Sequence, residues 1–254
     1  MNLWKVTTLD QQEQRNEFTS RLIQKHIRSG MHVLDAGCGN GEISFLLANA
    51  VGSNGYVDGV DINEDAIAAA KRKTAESGTS NVSFSVADIS RLDAGEYDAI
   101  FGRRVLMYQQ DPLDTAKNLK RLLNPGGIML FQESDENGAL LNGEELALHN
   151  KAQNWIWQTV KYEGGHTHIG SELYGVMKAN GMHVVDYCTE AVLQTAESGS
   201  DIAWVVSVMQ ERMQAAGVHP ETDKLEKRLH EEIENADRAF VRDLAYGICA
   251  QKNN

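Results

Sequence analysis

Apolar residues along this chain recur in two rhythms that take turns: compact apolar or alternating runs, and longer stretches with apolar positions three and four apart. The pattern predicts strands over 32–36, 56–61, 82–87, 97–102 and 127–133, with helices over 41–51, 64–77 and 113–123 among them. Ahead of the first strand, Phe18, Leu22, Ile23, His26 and Ile27 stand at helical spacing, so an amphipathic helix over 9–29 is expected to pack on the sheet. Strands that alternate with helices build a parallel, doubly wound α/β sheet, since each parallel crossover needs a helix laid over one face. The segments Asn124-Pro-Gly-Gly127 and Asn180-Gly-Met182 punctuate the joints from helix to strand.

Beyond the fifth strand the order changes. A helix over 171–180 and a strand over 182–192 follow, and the last strand, 244–251, comes only after a long helical segment. In that segment Ile202, Val205, Val206, Met209 and Met213 form one apolar stripe, and Leu225, Leu229, Ile233, Ala236, Phe240 and Leu244 another, which predicts two helices packed together. A further helical stretch, 143–162, carries Leu146, Leu148, Trp155, Trp157 and Val160. The resulting division is an N-terminal helical segment over 1–29, a core over 30–135 resumed at 166–196 and 244–254, and helical inserts over 136–165 and 197–243. The inserts are candidate covers for a substrate.

Composition narrows the partners. The 254 residues are 42% hydrophobic and carry a formal net charge of −12. That charge opposes a nucleic-acid partner, whose phosphates are bound through Lys and Arg. The first ten residues turn polar at once and no apolar run reaches the length of a membrane span, so a cytoplasmic protein without a leader is expected. Cys38, Cys188 and Cys249 are odd in number and widely spaced, which predicts neither a disulfide framework nor a zinc site.

The chemistry concentrates in Val33-Leu-Asp-Ala-Gly-Cys-Gly-Asn-Gly41, an apolar strand running into three alternate glycines, with Asp61 at the end of the next strand. Such a turn brings bare backbone to a ligand, and an acid at the end of the second strand can accept both hydroxyl protons of a ribose. The glycine spacing departs from that of a dinucleotide fold, and Glu42 stands where the third glycine would be. A carboxylate at that helix N-terminus disfavours pyrophosphate and favours a nucleoside without phosphates.

On these residues the chain resembles the class I S-adenosylmethionine-dependent methyltransferases, in their small-molecule branch related to quinone and polyketide methyltransferases. The resemblance implies a Rossmann-like, mostly parallel seven-stranded sheet with helical cap insertions, and S-adenosylmethionine as cofactor. It places Asp35, Gly37, Gly39, Asn40, Gly41 and Ile62 at the cofactor, Asp61 at its ribose, Asp88 and Ile89 at its adenine, and Arg103 along its methionine part. If the backbone after the fourth strand stays extended, Arg103 and Arg104 cannot both point inward, so one of them is expected at the surface.

Four residues are candidates for proton transfer: His166 and His168, in a Gly-Gly-His-Thr-His segment that can equally be an ordinary loop, and Glu133 and Asp135, on one side of the fifth strand. Those two acids lack a third ligand, so no metal is expected. Met107, Tyr108, Trp155 and Trp204 are candidate acceptor-binding residues, and Trp4 a candidate lid. The expected activity is methyl transfer to an oxygen, nitrogen or carbon of a small, partly apolar metabolite, with a homodimer through the helical inserts. A cofactor-assisted cyclisation and a non-catalytic binding module are the rival readings.

Overall fold

A computed structural model describes residues 17–253. Trp4 and the first half of the expected N-terminal helix lie outside the described residues, and helix α1 is followed from 17 to 26. The strands are β1 (His32–Ala36), β2 (Tyr56–Asp61), β3 (Val82–Val86), β4 (Tyr97–Arg103), β5 (Leu123–Asp135), β6 (His183–Gln194) and β7 (Phe240–Gln251). The helices that follow α1 are α2 (Glu42–Val51), α3 (Glu64–Ser77), α4 (Pro112–Arg121), α5 (Ala147–Tyr162), α6 (Ile169–Ala179), α7 (Ile202–Val208), α8 (Gln210–Ala215) and α9 (Leu225–Ala236).

The strands make one seven-stranded sheet in the order β3-β2-β1-β4-β5-β7-β6. The pairs β1–β2, β1–β4, β2–β3 and β4–β5 are parallel, so the expected α/β, mostly parallel architecture is borne out. The strand order reverses beside β1, with β2 on one side and β4 on the other. In an open α/β sheet that reversal opens a crevice above the carboxyl ends of the two strands. Local chemistry agrees with the topology: Asn63 caps α3 by accepting the Ala66 amide at 3.0 Å, and Asp111 caps α4 just ahead of Pro112.

The chain divides into two compact units. Among the described residues, one comprises 19–133, 169–188 and 246–253 and the other 17–18, 134–168 and 189–245. The first contains β1 to β4, whose core includes Leu34, Ile100, Phe101 and Phe131, all without exposure. In it Phe84 of β3 fills space that two glycines leave open. A Cβ on Gly59 would lie 2.6 Å from its ring and one on Gly41 2.7 Å away, while the Phe45 ring meets it tilted by 55° at 5.9 Å between centroids.

In the second unit α5, α7 and α9 pack on one another, and Trp155, Val206, Leu229 and Ile233 on these helices are buried. The Glu232 carboxylate accepts the amides of Leu148 and His149 at the start of α5, at 2.6 and 2.8 Å.

Three local expectations are corrected. Phe240 and Leu244 belong to β7, not to the helix before it, since Asp237 turns left-handed at φ 47° and ends α9. A spacing of four keeps residues on one face of a strand as well as of a helix, so the stripe continued across the junction. Asn124-Pro-Gly-Gly127 falls inside β5, which starts at Leu123, and the β4–β5 register shifts there between the partners of Tyr97 and Ala99. Trp155, expected over the acceptor, is 7% exposed and forms core.

Phe84→Ala is expected to lower unfolding stability by about 3 kcal/mol, the range for emptying an aromatic site in a packed core. Chemical denaturation measures it, and a loss under ~1 kcal/mol would contradict the packing role given to this ring.

Candidate functional site

The turn after β1 is fastened to the end of β2 by three consecutive amides. Gly37 and Cys38 donate to the Val60 carbonyl at 2.8 and 2.9 Å, and Gly39 donates to Asp61 Oδ2 at 2.8 Å. The other carboxylate oxygen of Asp61 accepts the Asn63 amide at 2.9 Å. Gly37 and Gly39 both take positive φ, 73° and 52°, which a residue without Cβ adopts at little cost. Their surroundings differ. A Cβ on Gly37 would lie 2.4 Å from Val105, whereas one on Gly39 would meet nothing within 4 Å. The first glycine lets two loops touch, and the second leaves room for a ligand.

The loop after β4 is held from β5. Glu133 has no exposure, and its Oε1 accepts the amides of Val105 and Leu106 at 3.0 and 2.8 Å. Burial pushes its carboxyl up to about 7, against the pull of those amides and of the Arg104 charge. Arg104 donates its amide to the Gln132 carbonyl at 2.8 Å and sits in the left-handed region at φ 52°. The chain is therefore not extended at this point, and both arginines face one cavity, contrary to the expectation from alternation. Arg103 Nη1 donates to Thr19 Oγ1 at 3.3 Å, and that hydroxyl donates to Gln132 Oε1 at 2.6 Å.

That cavity, of about 320 Å³, is lined by Asp35, Gly37, Cys38, Gly39, Asn40, Glu42, Ile43, Arg103, Arg104 and Tyr108. Its volume lies at the lower end of the range for small-molecule sites. Asp35 is 2% exposed, and burial raises its pKa to about 6 while the Ser44 hydroxyl, donating at 2.5 Å, and Arg103 pull the other way. Burial also pushes the Cys38 thiol up, which leaves it a neutral lining group.

Six of the expected site residues thus share one cavity: Asp35, Gly37, Gly39, Asn40, Arg103 and Tyr108. Others stand outside its lining. Gly41 is the N-cap of α2 and makes room for Phe84. Ile89, at 4% exposure, and Met107, at 3%, belong to the core rather than to a ligand surface. Ile62 is 73% exposed beside Asp61, an apolar side chain left in the open. Asp88 Oδ1 accepts the Ser90 hydroxyl and amide at 2.7 and 2.9 Å, and the hydroxyl leads in holding the carboxyl below its usual range.

Glu133, expected among the proton acceptors, is committed to the 105–106 amides and has a structural role. In the other unit His168 lies between two carboxylates, with Nε2 2.7 Å from Glu136 and Nδ1 3.4 Å from Asp135. His166 is half-buried in the turn before α6, and Trp204 of α7 is 45% exposed. Among the described residues, no three His, Cys, Asp or Glu side chains are grouped to hold a metal ion, and no helix is long and apolar enough to cross a membrane.

The family model described as a methyltransferase domain matches residues 27–236. The chain belongs to this methyltransferase-domain family. Among relatives, it is 38% identical over 111 residues to the ubiquinone biosynthesis O-methyltransferase of Coxiella burnetii, covering 42% of this chain and 45% of that one. It is 32% identical over 130 residues to the demethylmenaquinone methyltransferase of Staphylococcus saprophyticus, covering 49% and 54%. The chain spans about half the length of these relatives.

In fold it is similar to phosphoethanolamine N-methyltransferase 2 of Haemonchus contortus, solved with phosphomonomethylethanolamine and S-adenosylhomocysteine. The TM-score is 0.59 at 17% identity, over 90% of this chain and 50% of that one.

With the family comes its cofactor, S-adenosylmethionine, and the cavity suits it. Gly39 leaves the backbone bare, Glu42 in the lining disfavours a phosphate, and Arg103 offers a guanidinium to a carboxylate.

Sequence reasoning missed Cys38, Glu42, Ile43 and Arg104 as lining residues. The signal for Glu42 was its place directly after the turn; Arg104 carried none, because left-handed backbone at an arginine has no mark in the chain.

The Glu133 burial gives a pH test. Its folded pKa of about 7 exceeds the ordinary 4.5, so its contribution to stability is fully present below 4.5 and is lost as pH rises through 7. Glu133→Gln keeps an acceptor for both amides and removes that loss. Between pH 5 and pH 8 the variant should gain on the order of 2 kcal/mol over the parent chain in urea unfolding. Parallel stability curves would contradict the assignment.

Proposed function

We propose that this chain transfers the methyl group of S-adenosylmethionine to an oxygen, nitrogen or carbon of a small, partly apolar metabolite. The observation that carries the reading is the open backbone at Gly39 in a cavity that also holds Asp35 and Arg103, set in a chain of this family. In this proposal Asp61 receives the ribose hydroxyls, with both of its oxygens aimed by the Gly39 and Asn63 amides. Ile62 covers the adenine from one side and Asp88 accepts its amino group. Names of two relatives support a phenol or quinone-like ring as acceptor.

When bound, the cofactor would supply an electrophilic methyl on a sulfonium, which the acceptor atom would take as the carbon–sulfur bond breaks and its electron pair stays on sulfur, leaving S-adenosylhomocysteine. Alignment of the acceptor then governs the rate, since effective molarity is the main gain open to the protein. A neutral hydroxyl or protonated amine must also lose a proton. We assign that proton to His168, whose ring Asp135 and Glu136 orient. Tyr108, which is exposed, is proposed to contact the acceptor. The same proposal holds the chain to be cytoplasmic, without a nucleic-acid partner, and a homodimer through its helical inserts.

Mass spectrometry of a metabolite pool incubated with the chain and S-adenosylmethionine tests this reading, with one S-adenosylhomocysteine expected per methylated product. Turnover without it would contradict methyl transfer in favour of cyclisation, and tight binding without turnover would favour a binding module. In the same assay Asp61→Ala should weaken cofactor binding by about 1–3 kcal/mol. His168→Ala should slow turnover at unchanged cofactor affinity. The opposite split would overturn both assignments.

A further inference from the structure

Two consecutive arginines on one cavity wall are more than a single cofactor carboxylate requires, and they are held in different ways. The guanidinium of Arg103 is anchored on Thr19 and is close enough to Asp35 to stabilise its carboxylate, which sets it toward the glycine turn. Arg104 is exposed, lines the same cavity and acts electrostatically on Glu133, at the end of β5. Among the described residues no carboxylate pairs with it. Its backbone is left-handed at φ 52°, a conformation that a non-glycine residue keeps only where its surroundings enforce it, and such residues gather at functional sites. Here the enforcement is visible: the Arg104 amide is bonded to Gln132, and the next two amides to Glu133. The twist is what brings the second guanidinium to the cavity at all, because an extended chain would turn it to the opposite face.

We propose that Arg104 is the anion-recognition residue of the acceptor site, so that the acceptor is a small carboxylic acid with a planar or apolar body, its carboxylate held by the Arg104 guanidinium and its body lying against Tyr108. This rests on the methyltransferase reading and deepens it by naming the acceptor class. A planar guanidinium with its fork of donors matches a carboxylate in two parallel hydrogen bonds, and the exposed ring of Tyr108 supplies the apolar contact. The division of labour follows from the two anchors: Arg103 serves the cofactor's carboxylate, and Arg104 the acceptor's.

The test is a calorimetric titration of the full chain saturated with S-adenosylhomocysteine. The probes are benzoate against benzyl alcohol and hexanoate against hexanol. At least one acid should bind about tenfold more tightly than its alcohol. Arg104→Gln and Arg104→Gly should abolish that preference while leaving S-adenosylhomocysteine affinity within about twofold of the parent chain. Arg103→Gln should do the reverse. Arg104→Gly also relieves the left-handed backbone, so its melting temperature should equal or exceed that of the parent chain and a folding defect cannot account for the loss.

No acid preference in the parent chain, a preference that survives in Arg104→Gly, or a loss of S-adenosylhomocysteine affinity as large as in Arg103→Gln would each overturn the assignment. Failure of the parent chain to bind S-adenosylhomocysteine would instead contradict the methyltransferase reading itself.

Discussion

The site depends on one buried carboxylate. Glu133 sits at the end of β5 without exposure, and through a single oxygen it fixes the amides of Val105 and Leu106. Those amides determine where the loop after β4 stands. The Val105 side chain then occupies the space that Gly37 leaves for it, and so the loop meets the turn after β1. The same anchoring holds Arg104 in a conformation that an arginine does not choose alone. Without Glu133, neither the contact of the two loops nor the paired arginines would be specified.

A second consequence is electrostatic. Two acids, Asp35 and Glu133, lie buried around a cavity with two arginines in its wall, and burial raises both of them, to about 6 and about 7. Near neutral pH Glu133 offsets the guanidinium charges by less than a full carboxylate would, while Asp35 stays mostly ionised beside Arg103. In a chain of net charge −12, two guanidinium groups are thus kept in the wall of a cavity that Asp35 and Glu42 also line. The arrangement supplies orientation more than acid–base power, which suits a displacement at a cofactor that already carries its activated group.

What was legible in the chain follows from how local each determinant is. The β1 turn and Asp61 belong to one strand–helix–strand unit, so their glycines and acid stood together in the sequence, and the strand bounds at 56–61 agree with those of β2. The role of Glu133 was not legible, since its partners lie 27 and 28 residues away and an acid buried on two amides looks like any acid on a strand. Arg103 and Arg104 were misread because alternation assumes extended backbone, and the left-handed residue between β4 and its loop breaks that assumption. Met107 and Trp155 illustrate the opposite problem: large apolar side chains fill cores as readily as pockets, and exposures of only 3% and 7% put these two in the core.

The central claim is that the turn after β1 and the loop after β4 form one cofactor cavity. Amide chemical-shift mapping of the isotope-labelled chain during titration with S-adenosylhomocysteine tests it most directly. The account predicts saturable shifts at Gly37, Gly39, Asn40 and Arg103 together, with a single dissociation constant. Binding that leaves these amides unmoved while shifting others, or no saturable shift at all, would contradict it.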